Sequence, residues 1–140
     1  MKARINYITL GVSDLERSTA FYRDGLGLRT DGIVGTEVEN GAVAFFELSA
    51  GLILALWPRV SLANEARVPL GPLSATEFAL AHNVGSRVEV DAVFAEMTGA
   101  GATITATPVD KAWGGYSGFV QDPDGHLWEI AWNPDLVLPD

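Results

Sequence analysis

The sequence contains no cysteine, and this absence excludes several kinds of chemistry at once. Disulfides, thiolate nucleophiles and cysteine metal sites all require a residue that the chain lacks. Histidine is scarce as well, with His82 and His126 as the two examples. A zinc site normally takes three protein ligands, and iron in dioxygenases commonly takes two histidines and a carboxylate. The chain therefore offers few residues for a transition metal.

Positive charge and long apolar runs are also scarce. Nine Lys and Arg residues stand against 18 Asp and Glu, which gives a formal net charge of −9. Such a balance repels phosphate backbones and anionic membranes, so we expect neither a nucleic acid nor a membrane as partner. No apolar run approaches the roughly 20 residues that span a bilayer, and residues 1–8 lack the apolar segment of a signal peptide. These features predict a cytoplasmic protein.

The composition that remains is that of a globular protein. The chain has 140 residues, of which 48% are hydrophobic and 19% are charged. This is enough apolar material to build a core, and it excludes a disordered chain. One compact domain, or two small fused modules, is the natural expectation.

The first half opens with a strand followed by a helix. Ile5–Val12 is a β-branched, apolar run that predicts a strand. Ser13 precedes Glu16 by three residues, a spacing that predicts a capping box at the start of a helix over Asp14–Asp24. Two glycines follow this segment and are expected to end the helix.

Three further strands and a long loop complete the first half. The predicted strands are Leu28–Val34, Ala42–Leu48 and Leu52–Trp57. The last two are joined by a short turn at Ser49–Gly51. Pro58–Ala75 contains proline and glycine without clear periodicity, which predicts a connecting loop.

The second half repeats the pattern of the first. Ser86 and Glu89 form another predicted capping box, before a helix over Val90–Thr98. The predicted strands of this half are Phe78–Val84, Thr103–Thr107, Tyr116–Gln121 and His126–Trp132. Corresponding residues are separated by a nearly constant shift, which is 73 from Ser13 to Ser86 and 74 from Gly51 to Gly125. The pattern indicates a duplicated βαβββ unit, with module 1 over about 1–60, a linker over about 58–75 and module 2 over about 76–135.

Two segments of this tandem carry a family resemblance. VSDLERSTAFYRDGLGL near the start and WGGYSGFVQDPDGHLWEIAWNP near the end resemble the vicinal oxygen chelate superfamily. That superfamily includes glyoxalase I, the fosfomycin and bleomycin resistance proteins and the extradiol dioxygenases. The resemblance covers nearly all of residues 1–140. It implies an α+β fold in which tandem βαβββ modules form a cupped, half-open mixed β-barrel with helices outside and a ligand inside, and it implies a homodimer.

The same resemblance identifies four positions at which metal-using members place their ligands. These positions correspond to Tyr7, Ala55, Ala79 and Glu129 in this chain. Glu129 is the one good ligand among them, since Tyr7 would have to lose its phenolic proton and the alanines supply no donor. We therefore expect no metal cofactor, with a divalent ion such as Zn, Ni, Mn or Fe as the alternative.

Strand alternation then identifies the residues that would face a ligand. They are Tyr7, Thr9, Ile53, Ala55, Trp57, Ala79, Ala81, Asn83, Leu127, Glu129 and Ala131. The loop Ala112–Tyr116 is expected at the mouth of the cavity, with Trp113 and Tyr116 able to close over a ligand. Large aromatic residues also dominate cores and interfaces, so Trp57, Trp128 and Trp132 carry that second interpretation. For the third and seventh strands, neither face is favoured.

Three acidic residues near the end of the chain have separate predicted roles. Asp122 and Asp124 are predicted to form a turn in which Gly125 takes a positive φ. Glu129 lies among apolar neighbours, where a partly desolvated carboxylate could act as a base or bind a hydroxyl-bearing or cationic ligand. Ligand anchoring, with Tyr7 as partner, is the favoured role. If the protein is an enzyme, Glu129 is the candidate catalytic residue.

These observations lead to one favoured function and two alternatives. The favoured function is a metal-independent small-molecule-binding protein that holds a small aromatic or cationic ligand in an aromatic-lined cup, without catalysis. The first alternative is a metal-dependent lyase, isomerase, thiol transferase or dioxygenase of the same superfamily. The second is a domain that associates through its sheet edges.

Overall fold

A computed structural model describes residues 1–76 and 78–138. The chain divides into two compact units, Met1–Pro72 (unit 1) and Leu73–Asp140 (unit 2). Each unit holds one four-stranded mixed sheet with a helix between its first two strands. The predicted α+β class and the duplicated βαβββ unit are therefore confirmed.

Unit 1 contains four strands, two α-helices, a short π-helical turn and a short 3₁₀ turn. In chain order the elements are β1 (Tyr7–Val12), α1 (Leu15–Ala20), a π-helical turn (Phe21–Gly25), β2 (Ile33–Val34), β3 (Val43–Glu47), a 3₁₀ turn (Ser49–Gly51), β4 (Ile53–Pro58) and α2 (Arg59–Ala66). The strands lie in the order β1-β4-β3-β2. β1 pairs with β4 in parallel, and the other neighbours are antiparallel.

The core of unit 1 lies between the α1 segment and one face of this sheet. Leu10 and Val12 of β1 are buried, whereas Tyr7 and Thr9 on the alternate positions are exposed. This alternation is what a strand with one face packed on a core requires. The buried residues that complete the core are Phe21, Tyr22, Ala44, Phe46, Leu54 and Leu56.

The first helix is capped one residue later than the sequence predicted. The side chain of Asp14 accepts a hydrogen bond from the backbone N–H of Arg17 at 3.0 Å, so Asp14 is the N-cap. The prediction of a capping box at Ser13 and Glu16 was wrong. Ser and Asp are almost equally good N-caps. Where the two residues are adjacent, the sequence alone does not show which of them is the last residue before the helical backbone begins.

The role of Asp14 as N-cap can be tested by substitution. Asp14→Ala should lower the free energy of unfolding by about 1 kcal/mol, because the first turn of α1 loses an acceptor for one of its N–H groups. Urea denaturation followed by circular dichroism would measure the change. Ser13→Ala is the matched control, and a larger loss there than in Asp14→Ala would contradict the assignment.

A helix also occupies part of the region predicted as a loop. α2 begins directly after β4 and buries Ala63. Its C-cap, Arg67, takes a left-handed conformation with φ +55°. The apolar residues of α2 do not repeat with a clear helical period, so the sequence pattern did not reveal the helix.

Unit 2 repeats the architecture without an additional helix after its last described strand. Its elements are β5 (Ala79–Val84), α3 (Arg87–Gly99), β6 (Thr103–Asp110), β7 (Tyr116–Gln121) and β8 (Leu127–Trp132). The strand order β5-β8-β7-β6 corresponds to that of unit 1. The predicted capping box is confirmed, since Ser86 Oγ accepts from the Glu89 N–H at 3.2 Å and the Glu89 carboxylate accepts from the Gly85 N–H at 3.1 Å.

Strand pairing shows the duplication more exactly than the sequence did. Phe45 pairs with Ala55 in unit 1, and Phe119 pairs with Glu129 in unit 2, each shifted by 74 residues. The turn before β8 is also as predicted. Asp122 Oδ1 accepts from the backbone N–H groups of Asp124 and His126, both at 2.9 Å.

Helix length in the described part of the chain is modest. The longest helix there is α3, with 13 residues. None of the helices over residues 1–76 and 78–138 has both the length and the apolar character needed to cross a membrane.

Candidate functional site

Unit 1 contains a cavity of about 270 Å³ on the sheet face that points away from α1. β1, β3 and β4 provide most of its wall, and the segment before β3 provides the rest. Its lining residues are Tyr7, Thr9, Asn40, Gly41, Val43, Phe45, Ala55 and Trp57. We call this cavity the unit 1 pocket. Its volume lies just below the range of about 300–1,000 Å³ that is usual for small-molecule sites, which suits a small ligand.

Strand register places Ala55 at the centre of the pocket wall. Ala55 pairs with Thr9 of β1 on one side and with Phe45 of β3 on the other. All three side chains therefore point to the same face. Ala55 is itself buried, at 3% exposure, and its small methyl group forms the floor of the pocket between its larger neighbours.

Aromatic rings line much of the remaining surface. Tyr7 and Phe45 are in edge-to-face contact, with ring centroids 6.0 Å apart and planes inclined by 74°. This arrangement is the preferred one for two aromatic rings. Both rings remain substantially exposed, at 53% for Tyr7 and 40% for Phe45. The pocket therefore presents ring surface to an incoming molecule.

Trp57 is fixed at one end of the pocket by a hydrogen bond. Its indole Nε1–H donates to the backbone carbonyl of Asn40 at 2.8 Å. The Asn40 side chain in turn contacts α2, donating to Glu65 Oε1 at 3.2 Å and accepting from Asn64 Nδ2 at 3.3 Å. The sequence left Trp57 open between ligand contact, core and interface, and the structure places it half-buried in the pocket wall.

The chemical character of the pocket is apolar and uncharged. None of its eight lining residues carries a charged side chain. The hydroxyls of Tyr7 and Thr9 are its small polar groups. Such a surface can stack a flat apolar molecule and orient it through a hydrogen bond.

Glu129 lies on the equivalent face of the unit 2 sheet. It is half-buried and accepts a hydrogen bond from Ser117 Oγ at 2.9 Å. Ser117 is fully buried, at 0% exposure, which fixes the donor in place. The neighbours of Glu129 across the sheet are Ala81 of β5 and Phe119 of β7. A carboxylate has more acceptor sites than this single bond occupies.

Tyr116 lies on the other face of β7, where it contacts α3. Its hydroxyl donates to Asp91 Oδ1 at 2.8 Å, and the Arg87 guanidinium lies 5.3 Å from its ring centroid and 5.3 Å from that of Trp132. The hydrogen bond to Asp91 raises the pKa of Tyr116, because deprotonation would remove the donated proton. Sequence reasoning placed Tyr116 beside a ligand, whereas the structure directs its hydroxyl toward α3.

The other predicted site residues are distributed along the two sheets. Trp113 lies in the tight turn between β6 and β7 and is 51% exposed. Ile53 is half-buried at the start of β4 and does not line the unit 1 pocket. Ala79 is exposed on β5, and Asn83 is half-buried opposite Ala131. The pocket thus includes Tyr7, Thr9, Ala55 and Trp57 from the predicted set.

Four pocket residues were not predicted. They are Asn40, Gly41, Val43 and Phe45. Each face of β3 carries a phenylalanine, so alternation alone gave no clear preference, and Glu47 at the strand end was the one polar signal for the Phe45 face. The pairing of Phe45 with Ala55 resolves it. An Asn-Gly sequence before a strand is a signal for a turn, but it does not indicate contact with a tryptophan.

The positions that the family resemblance associates with a metal do not form a suitable donor set. Ala55 and Ala79 carry no donor atom, and the Glu129 carboxylate is bonded to Ser117. Among the residues the structure describes, no group of three or more His, Asp or Glu side chains is arranged to hold a metal ion. No reaction step can be derived through a metal at these positions.

Comparison with known proteins places these features in a family. The model of the Glyoxalase/Bleomycin resistance protein/Dioxygenase superfamily matches residues 4–130. Among solved structures, a glyoxalase-related enzyme from Fulvimarina pelagi is 33% identical, with 98% of this chain and 93% of that chain covered and a TM-score of 0.84. A glyoxalase/bleomycin resistance protein/dioxygenase from Nocardioides is 26% identical over 100% of this chain and 89% of that chain, with a TM-score of 0.76.

A more distant likeness supports the fold alone. Lactoylglutathione lyase from Agrobacterium tumefaciens is 21% identical, with 94% of each chain covered and a TM-score of 0.68. No curated protein matches the chain. The family match covers most of the chain and agrees with the two βαβββ units. The chain belongs to the Glyoxalase/Bleomycin resistance protein/Dioxygenase superfamily.

Proposed function

We propose that this protein is a metal-independent small-molecule-binding member of the superfamily. Its ligand is a small aromatic molecule held in the unit 1 pocket. The observation that carries this proposal is the 270 Å³ cavity with aromatic walls and an alanine at its centre. Apolar concavities with a few polar groups are the usual form of small-molecule sites.

The residues of the pocket favour binding over catalysis. Tyr7 and Thr9 supply hydroxyls, but the lining has no carboxylate, histidine or lysine to move a proton. A hydroxyl that acts as a nucleophile or as an acid or base is usually activated by such a group within hydrogen-bond reach, and the lining supplies none. Among the predicted ligand types, the pocket supports the aromatic one best, since its rings can stack against a flat ligand. A cation would find ring faces but no counter-charge in the lining.

Glu129 keeps a separate role in this proposal. It is the ligand-type residue retained in unit 2, and its carboxylate has spare acceptor capacity beyond the bond from Ser117. Anchoring of a hydroxyl-bearing or cationic group at Glu129 stays a prediction. A homodimer and a cytoplasmic location also stay predictions, which analytical ultracentrifugation and cell fractionation would test.

A metal-dependent enzyme is the alternative that has specific support. The relative from Fulvimarina pelagi is described as a glyoxalase-related enzyme and is 33% identical to this chain. An enzyme of that kind would need metal ligands beyond those at the family positions. Elemental analysis of protein purified without chelator separates the two functions.

We expect purified protein to contain less than stoichiometric metal and to be stabilised by small aromatic compounds. A compound present at about 100 times its Kd should stabilise the fold by about 2.7 kcal/mol, which a thermal-shift assay detects easily. Divalent ions should give no comparable rise in Tm. Stoichiometric metal that is lost in Glu129→Ala would instead establish the metal-dependent alternative.

A further inference from the structure

Asn40 holds an unusual position next to the unit 1 pocket. It has a positive φ of +56°, a left-handed conformation that non-glycine residues adopt rarely and that Asn tolerates better than most. Three hydrogen bonds hold it there. Its carbonyl accepts from the Trp57 indole, and its side-chain amide joins Asn64 and Glu65 of α2.

The segment that carries Asn40 is compact. The Val38 N–H donates to the Gly35 carbonyl at 3.2 Å, and the Gly41 N–H donates to the Val38 carbonyl at 3.0 Å. A Cβ atom on Gly41 would lie 2.5 Å from the Gly35 carbonyl oxygen, so the two glycines approach closely. We call residues 35–41 the Asn40 loop. Hydrogen bonds within the loop, to α2 and from Trp57 hold it in place. It therefore forms a fixed wall of the unit 1 pocket.

The bond from Trp57 has a chemical consequence for the pocket. The indole N–H is the only hydrogen-bond donor of a tryptophan side chain, and here the Asn40 carbonyl occupies it. What Trp57 offers to a ligand is consequently its ring surface. The amide of Asn40 is also engaged, by α2. The indole donor at this end of the pocket is thus already in use, and the Asn40 amide has one donor and one acceptor position committed to α2.

We propose that Asn40 is a positioning residue that fixes Trp57, and that this makes the unit 1 pocket selective for planar aromatic ligands over anionic ligands of the same size. This inference rests on the proposed binding function and specifies its ligand class. Asn40 acts through Trp57 and through the loop. An anionic ligand would lose hydration and meet ring faces and no cationic side chain, with the Tyr7 and Thr9 hydroxyls as its polar contacts in the lining.

The positioning role is tested on the ligand-free protein. The change is Asn40→Gly, which retains access to positive φ and removes both amide bonds to α2. Hydrogen exchange of the Trp57 indole N–H, followed by NMR, should become about tenfold faster because the carbonyl that accepts it is no longer held. Glu65→Gln is the matched control, since its amide oxygen can still accept from Asn40. An unchanged exchange rate in Asn40→Gly would overturn the positioning role.

The selectivity is tested with three probes of equal size, namely benzyl alcohol, benzoate and benzylammonium. In the unaltered protein, benzyl alcohol should bind at least about tenfold more tightly than benzoate, as expected when burial of a negative charge is not compensated. Benzylammonium is the control for the opposite charge, which aromatic ring faces attract. Asn40→Gly and Trp57→Phe should both weaken the binding of benzyl alcohol, Trp57→Phe because it leaves the Asn40 carbonyl without its indole donor. Equal binding of benzyl alcohol and benzoate would overturn the selectivity. If no probe binds the unaltered protein, the proposed function and its ligand class are both wrong. The exchange rate of the Trp57 indole N–H still decides the role of Asn40 in that case.

Discussion

Phe46→Ala should lower the free energy of unfolding by about 3–5 kcal/mol, the usual cost of removing a buried phenylalanine. Phe46 is fully buried, at 0% exposure, and its ring lies 5.9 Å from that of Tyr22, centroid to centroid. The substitution removes apolar contact from the core beneath α1 and leaves a cavity that the sheet cannot close. Urea denaturation monitored by circular dichroism would measure the loss.

The adjacent residue provides a matched control. Phe45 lies on the same strand but faces the unit 1 pocket and is 40% exposed. Phe45→Ala should cost about 1 kcal/mol of stability, a typical value for a substitution outside the core, but it should weaken binding of aromatic probes. Equal losses of stability in the two variants would contradict the assignment of the two faces of β3.

Ala55→Phe should abolish ligand binding while the protein stays folded. The new side chain would project from the centre of the pocket wall into a cavity of about 270 Å³, filling space that a ligand needs. We expect affinity for aromatic probes to fall by about 100-fold or more, which corresponds to about 2.7 kcal/mol. Isothermal titration calorimetry with the best compound from a thermal-shift screen would measure this change.

The control for this substitution lies on the neighbouring strand. Ala44 is fully buried on the opposite face of the sheet, where it pairs with Leu56. Ala44→Phe should destabilise the fold by about 1–3 kcal/mol or more, because the core has no room for the added atoms. If Ala55→Phe destabilised the protein as much and left binding intact, the pocket would not be the ligand site.

Much of this fold could be predicted because simple alternation and repetition control it. The buried Leu10 and Val12 and the exposed Tyr7 and Thr9 follow directly from the period of a strand. The shift between the two modules reappears as identical pairing of β3 with β4 and of β7 with β8. Capping at Ser86 was also evident, because Glu89 follows at the capping-box spacing and no other Ser, Thr, Asp or Asn lies beside it.

The features that could not be predicted depend on interactions that leave little trace in local sequence. Ser13 and Asp14 are both good caps, and only the backbone geometry distinguishes them. Each face of β3 carries a phenylalanine, so pairing with β4 was needed to show that Phe45 lines the pocket. The bond between Trp57 and Asn40 involves a backbone carbonyl, a group that every residue has.

α2 follows β4 in unit 1, and no described helix follows the corresponding strand, β8, in unit 2. It is also the element that holds the Asn40 loop against Trp57. Substitutions in α2 would therefore change which ligands the unit 1 pocket binds, without changing either of the two duplicated sheets. The two units share one sheet architecture. α2 is the additional element of unit 1, and its sequence can change the unit 1 pocket without changing that architecture.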